Sequence, residues 1–207
     1  VIADFHKKEK ITPADLEDVG YKYDVVTDKW AIGDMAADYI FCGDNIVEFQ
    51  LPGTLRLIYN YETWKKADNH AKSFPIFDAQ TYLDENIQKS RSLNFVMLDC
   101  YSADDSAFDR EQFFAKTGHD FTAVLCLSTT NTNAVQSVRR TFVELLEREI
   151  KNPVIIICDS NKESTDETLI HFAVETGALF IDGFGNGICL GDHYNDKNKM
   201  PDYKLLN

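Results

Sequence analysis

The chain has 207 residues, of which 44% are hydrophobic, and it carries 34 acidic against 21 basic side chains, a formal net charge of −13. This apolar content is enough for a buried core and argues against disorder. The acidity argues against a nucleic-acid partner, because phosphate binding depends on clustered Lys and Arg. No apolar run approaches the roughly 18 residues of a membrane span, and the first residues lack a signal-peptide pattern. We therefore expect a cytoplasmic protein without a membrane partner. Because the chain begins at Val1, we expect a piece of a longer polypeptide.

Apolar runs rich in Val, Ile, Leu and Phe recur along the chain, and several are continuously apolar, which is typical of strands covered on both faces. The predicted strands are 38–43, 55–59, 74–78, 93–99, 122–128, 153–159, 178–182 and 187–190.

Helical patterns lie between these runs. The clearest covers 133–151, where an apolar stripe follows the i, i+3, i+4 spacing of one helix face. A capping box, Ser164 with Glu167, predicts the start of a helix that ends at Gly177 in a left-handed residue. A similar pair, Asp109 with Gln112, begins a helix over 109–116. Weaker helical patterns cover 61–71 and 79–90.

Strands that alternate with helices predict the α/β class, and eight of them favour a TIM-like barrel of mostly parallel strands with covering helices. Only 11 residues, including Pro52-Gly53, separate Gly43 from Leu55, so no full helix fits there. The turn 183–186 is also too short for a parallel crossover. We therefore expect a degenerate or incomplete barrel.

Aspartates end several predicted strands: Asp78, Asp99, Asp159 and Asp182. In a barrel the carboxyl ends of the strands form the mouth, where catalytic groups normally lie, so Asp99, Asp159 and Asp182 are candidates for acid–base or hard-metal chemistry. The alternative is structural, because Asp is favoured in turns and at helix N-caps.

Cysteines and histidines give weaker signals. The five cysteines, with no Cys-x-x-Cys pair, fit a reducing compartment and argue against a locally formed metal site, so we expect no metal or cofactor in this chain. No histidine is near Cys158 in the sequence, so a buried strand cysteine is favoured over a nucleophile there. The glycine-rich turn 183–187 fits a phosphate cradle or, as we favour, a tight turn between strands.

Residues 177–190 resemble a segment of a known enzyme family. They read Gly-Ala-Leu-Phe-Ile-Asp-Gly-Phe-Gly-Asn-Gly-Ile-Cys-Leu. They are similar to a Gly-Ala-Leu-x-x-Asp-Gly-x-Gly-Asp-Gly segment of plant-type 4-hydroxy-3-methylbut-2-en-1-yl diphosphate synthase, with Asn186 in place of the second Asp. Residues 16–21 and 30–38 look like the junction into the central insert of that family.

This resemblance implies a lead-in segment from a preceding domain at 1–29, a barrel-like insert domain at 30–191 and a polar connector at 192–207. It implies a bacterial parent enzyme of the methylerythritol phosphate pathway of isoprenoid biosynthesis, an oxidoreductase with a [4Fe–4S] cluster and ferredoxin or flavodoxin as partner. The family's cluster motif, Cys-Pro-Ser-Cys-Gly, does not occur in this chain.

The insert would be a structural spacer between the catalytic barrel and cluster domains, with no catalytic residues of its own. One alternative is an independent α/β-barrel lyase or hydrolase that acts on a small phosphorylated or acidic metabolite through Asp99, Asp159 and Asp182. Another is a regulatory insert that binds a small ligand at the barrel mouth.

Overall fold

The structure is a computed structural model that describes residues 1–68, 70–101, 108–162 and 164–192. Its strands in chain order are β1 (Ile2–Asp4), β2 (Tyr21–Asp24), β3 (Lys29–Ile32), β4 (Tyr39–Gly43), β5 (Arg56–Asn60), β6 (Ser73–Asp78), β7 (Asn94–Asp99), β8 (Ala123–Ser128), β9 (Val154–Ser160) and β10 (Gly187–Asp192). Its helices are a 3₁₀ helix (Pro13–Val19), α1 (Tyr61–Lys66), α2 (Ala79–Leu83), α3 (Arg110–Gly118), α4 (Ala134–Glu147), α5 (Thr165–Glu175) and α6 (Gly177–Ile181).

Eight of the described strands close a barrel in the order β1-β10-β9-β8-β7-β6-β5-β4, and β2 and β3 form a separate antiparallel pair. The neighbouring barrel strands pair in parallel, for example Asn94–Asp99 of β7 with Ala123–Ser128 of β8. The predicted α/β class and TIM-like barrel are confirmed, and the sheet closes. Its degenerate feature is the β4–β5 crossover, which has no helix, as the Pro52-Gly53 pair predicted.

The chain divides into two compact units, each with its own buried side chains. The first comprises residues Val1–Phe74, Asp159–Leu169 and the described residues from Cys189 onward. Its core holds apolar side chains from β1, the 3₁₀ helix, β4, β5, α1 and the residues beside them, with Phe5, Leu16, Ile40, Leu55 and Trp64 among them. Long apolar runs therefore become buried strands here because both faces of each strand are covered.

The second unit comprises Pro75–Cys158 and Ile170–Ile188. Its main helix, α4, buries Val138, Phe142 and Leu145 along the predicted apolar stripe. Helix α3 begins where the sequence predicted, because the Asp109 side chain accepts a hydrogen bond of 2.9 Å from the Gln112 backbone amide. The predicted helices over 61–71 and 79–90 are shorter than expected.

The predicted strand 178–182 was wrong. Residues 178–181 belong to α6 and Asp182 is its C-cap, and Gly177 begins that helix where we expected a left-handed exit residue. A short apolar run cannot be assigned to strand or helix by periodicity alone. Leu179 is 1% exposed whereas Ile181 is 88% exposed, so one side of the run packs and another does not. Helices α5 and α6 together provide the long crossover that parallel β9 and β10 require.

The sequence did not predict β1 or the β2–β3 hairpin. Strand β1 is the eighth strand of the barrel, in place of the strand wrongly predicted at 178–182. Strand β1 lies within 1–29, so this segment contributes directly to the barrel. Of the predicted connector 192–207, residues 193–207 lie outside the described part of the chain. Among the helices of the described residues, none combines the length and the apolar character that a membrane span requires.

Candidate functional site

The carboxyl end of β1 carries an aspartate–histidine pair. Asp4 Oδ1 lies 2.5 Å from His6 Nδ1 and accepts a second hydrogen bond of 3.0 Å from the His6 backbone amide. The Asp4 side chain is 16% exposed and the His6 side chain 38%. The hydrogen bond that the His6 ring donates to Asp4 raises the pKa of His6, because it favours the imidazolium, while burial acts in the opposite direction. The Asp4–His6 pair can therefore hold a proton on the imidazole of His6, which solvent can reach.

The carboxylate of Asp159, on β9, lies near Asp4 and against Gly191 of β10. A Cβ atom added at Gly191 of β10 would lie 2.3 Å from Asp159 Oδ1 and 3.6 Å from Asp4 Oδ2. The missing side chain of Gly191 leaves room for the Asp159 carboxylate against the backbone of β10, whereas Asp4 lies at ordinary contact distance. The negative charge of Asp159 also contributes to the raised pKa of His6. We call Asp4, His6, Asp159 and Gly191 the mouth cluster, since β1 and β10 run parallel and place it at their carboxyl ends.

The mouth cluster has the groups needed for proton transfer: an imidazole and two carboxylates, with the imidazole oriented by one of them. Of its titratable residues, the sequence predicted only Asp159. Asp4 and His6 were missed because β1 was not predicted. The available signal was the apolar run Val1–Ala3 that ends in Asp4, the same pattern that marked the other strand-end aspartates.

The other two candidates, Asp99 and Asp182, lie in the second unit. Asp99 closes β7, and its carboxylate accepts a 3.0 Å bond from the Tyr101 amide. Asp182 follows α6, and its Oδ2 accepts bonds of 2.9 and 2.5 Å from the Arg139 guanidinium. The prediction that Asp182 ends a strand was therefore wrong. In the described ranges the bond shown for the Asp99 carboxylate is to Tyr101 and those of Asp182 are to Arg139, so the two aspartates share none of these partners.

Asp78, the last residue of β6, caps the helix that follows. Asp78 accepts hydrogen bonds from the backbone amide and the hydroxyl of Thr81, at 2.7 and 2.5 Å, at the start of α2. The structural alternative for strand-end aspartates therefore holds for Asp78.

The glycine-rich turn is tied to the start of β9, at the opposite end of that strand from Asp159. The Asn186 amide donates to the Val154 carbonyl at 2.7 Å, and the Val154 amide donates to Asn186 Oδ1 at 2.9 Å. Gly185 has a φ of 90°, and a Cβ there would lie 2.8 Å from Ile156 Cδ1. The turn leads into β10 and not into a helix, so a tight structural turn accounts for its glycines.

All five cysteines are free, and four of them are buried. Burial raises the pKa of Cys42, of Cys126 to about 12 and of Cys100 to about 11, whereas metal ligation uses the thiolate. No three His, Cys, Asp or Glu side chains in the described residues gather as a metal site. The five cysteines therefore belong to no such group in the described part of the chain.

Cys158 does have a histidine neighbour in the fold. Its Sγ lies 3.8 Å from Nε2 of His171 on α5, a contact that its sequence surroundings did not predict. Cys158 is 8% exposed, which keeps this thiol away from solvent.

One curated protein resembles this chain. It is a 4-hydroxy-3-methylbut-2-en-1-yl diphosphate synthase (flavodoxin) of Parabacteroides distasonis, 29% identical over 153 residues. The two chains are related. The aligned residues make up 74% of this chain and 23% of the relative, so the chain spans about a quarter of the relative's length. No family model matches the chain. No solved structure matches it either.

Proposed function

We propose that this chain is a structural insert domain of a plant-type 4-hydroxy-3-methylbut-2-en-1-yl diphosphate synthase. The observation that carries the proposal is the similarity to the synthase of P. distasonis, which covers most of this chain but under a quarter of the relative. The parent chain would reductively convert 2-C-methyl-erythritol 2,4-cyclodiphosphate to hydroxymethylbutenyl diphosphate in isoprenoid biosynthesis.

In this proposal the chemistry belongs to other parts of the parent chain. A [4Fe–4S] cluster there would supply the electron-transfer step, with flavodoxin or ferredoxin as electron donor. The buried, dispersed cysteines of this chain support placing the cluster elsewhere. The catalytic barrel and cluster domains would be the partners of the insert.

The surface of α5 and α6 supports a docking role. Ile170, Val174 and Ile181 are 64%, 57% and 88% exposed. Ile170 and Val174 are four residues apart and therefore lie on one helix face. Exposed apolar patches of this kind commonly mark contacts with other protein surfaces. We propose that this face packs against a neighbouring domain of the parent chain.

A second candidate function is proton-transfer catalysis by an independent barrel enzyme, and the mouth cluster is the observation that favours it. Asp4 orients His6, and Asp159 converges on the same backbone position of β10. The carboxyl ends of barrel strands are where the catalytic residues of such enzymes lie. Asp182 would have no part in this version, because it is paired with Arg139.

Substitutions in the full open reading frame that contains this chain separate the two candidates. The structural proposal predicts that Asp159→Asn leaves kcat of the cyclodiphosphate reaction within about twofold, whereas Ile181→Glu lowers activity by disturbing domain docking. Val26→Glu is the matched control, because Val26 is 94% exposed on the β2–β3 turn. A loss of about a hundredfold or more in Asp159→Asn, with the fold intact, would refute the structural proposal. A frame without a Cys-Pro-Ser-Cys-Gly motif would refute it as well.

A further inference from the structure

The helix-free β4–β5 crossover leaves a cavity of about 600 Å³ in the first unit, within the range of small-molecule sites. Its lining comprises residues 46–51 of the crossover, Leu57 and Tyr59 of β5, residues 66–68, and Lys72. We call it the crossover cavity. A covering helix would occupy this place in a regular barrel of this kind.

The crossover segment is fixed over this cavity at two points. The Val47 amide donates a 3.0 Å hydrogen bond to the Tyr59 hydroxyl. The Trp30 indole donates one of 3.1 Å to the Gln50 carbonyl, and its ring lies 6.3 Å from that of Phe49. Val47, Phe49 and Leu51 alternate with exposed residues and are half-buried. These three side chains therefore form a preformed apolar part of the lining, which lowers the ordering cost of binding.

Tyr59 provides a buried donor in the cavity. Its side chain is 2% exposed, and its hydroxyl oxygen accepts the bond from Val47. In the described part of the chain, the hydroxyl hydrogen has no acceptor. Burial raises the pKa of Tyr59 to about 12, so the group is a neutral donor at physiological pH. A buried hydroxyl with an unused donor favours a ligand that brings an acceptor.

Two lysines add positive charge to the same lining. Lys72 donates a 3.3 Å hydrogen bond to the Pro52 carbonyl. Lys66 makes no ion pair or hydrogen bond with a described residue, and its charge lowers the pKa of Asp44, which lies outside the lining. The two acidic side chains of the lining, Glu48 and Asp68, belong to exposed residues. The buried polar group of the cavity is thus a donor, and an available ammonium accompanies it.

We propose that the crossover cavity binds a small amphipathic carboxylate. Its carboxylate accepts from the Tyr59 hydroxyl and is neutralised by Lys66, while its apolar body packs against Val47, Phe49 and Leu51. Binding depends on both parts of such a ligand, because one part of the lining is apolar and Tyr59 and Lys66 provide the donors. This site is separate from the mouth cluster and does not depend on the proposed parent enzyme.

The test is calorimetric titration of the full-length protein with octanoate and with 1-octanol, which share a chain and differ in charge. We expect one octanoate per chain, bound at least about tenfold more tightly than octanol. Methyl NMR signals of Val47 should shift on addition of octanoate. Equal affinity for the two probes, no binding of octanoate, or shifts confined to other methyl groups would overturn the proposal.

Two variants and a control locate the carboxylate. Lys66→Gln and Tyr59→Phe should each weaken octanoate binding about tenfold and leave octanol binding nearly unchanged. Lys65→Gln is the matched control, since Lys65 lies on the same helix and pairs with Glu62 at 2.8 Å. If Tyr59→Phe fails to fold, Lys66→Gln alone decides the test. Lys66 is exposed, so its replacement should leave the fold intact. Wild-type octanoate affinity in Lys66→Gln would refute the proposed site.

Discussion

Replacing Asn186 tests whether the glycine-rich turn is structural. In the fold the Asn186 side chain accepts a 2.9 Å hydrogen bond from the Val154 amide, and Val154 is 4% exposed. Asn186→Ala removes the acceptor and leaves a buried backbone donor without a partner, which costs about 1–3 kcal/mol. Asn186→Asp retains an oxygen acceptor at the same place, so its stability should stay within about 0.5 kcal/mol of wild type.

Urea unfolding followed by circular dichroism measures these differences, and the midpoint shifts convert to free energies where the slope is unchanged. In thermal unfolding, each kcal/mol should lower Tm by about 2–4 °C for a chain of this size. Asn133→Ala is the matched control, because the Asn133 side chain makes no capping bond at the start of α4. The reasoning fails if Asn186→Ala is as stable as wild type, or if Asn186→Asp loses as much stability as Asn186→Ala.

Three further predictions concern individual side chains. An NMR titration should show the pKa of His6 above its ordinary value of about 6.5, and Asp4→Asn should lower it. Because the folded-state pKa is the higher one, the stabilisation from this pair is complete below about pH 6.5 and is lost as the pH rises through the folded value; stability independent of pH there would contradict this. Asp78→Ala should lower the free energy of unfolding in urea by about 1 kcal/mol, because the Thr81 amide at the start of α2 loses the side chain that caps it. An unchanged midpoint would argue against this capping role of Asp78. The Cys126 thiol, 1% exposed with a pKa raised to about 12, should react with a thiol reagent only as the protein unfolds; rapid labelling of the native state would disprove its burial.

Much of the barrel could be predicted from local patterns. The runs at 93–99, 122–128 and 153–159 became β7, β8 and β9 because continuous apolar segments of that length are buried as parallel strands. Helix α4 followed from its apolar stripe, and α3 followed from a cap that the Asp109 side chain makes within its own turn. These signals lie within a few residues of the element that they specify.

The candidate site was predicted only in part. Asp159 was identified as a strand-end carboxylate, but Asp4 and His6 were not, because a three-residue strand carries almost no periodic signal. Asp182 was assigned to a strand end because the four-residue apolar run before it fits either a strand or a short helix. The run Val1–Ala3 before Asp4 was a weak local signal for β1, whereas the Asp182 error could not be corrected from residues nearby in the sequence.

The sequence by itself determined the α/β class, the parallel strands and the helix-free crossover, since burial, periodicity and Pro52-Gly53 act locally. Only the tertiary structure decided which strand completes the barrel and which side chains meet. The approach of Asp4 and Asp159 to Gly191, with His6 bonded to Asp4, joins positions far apart in the chain. The reason is physical: strand register and the room beside a missing Cβ are properties of neighbours in space, and no local pattern encodes them.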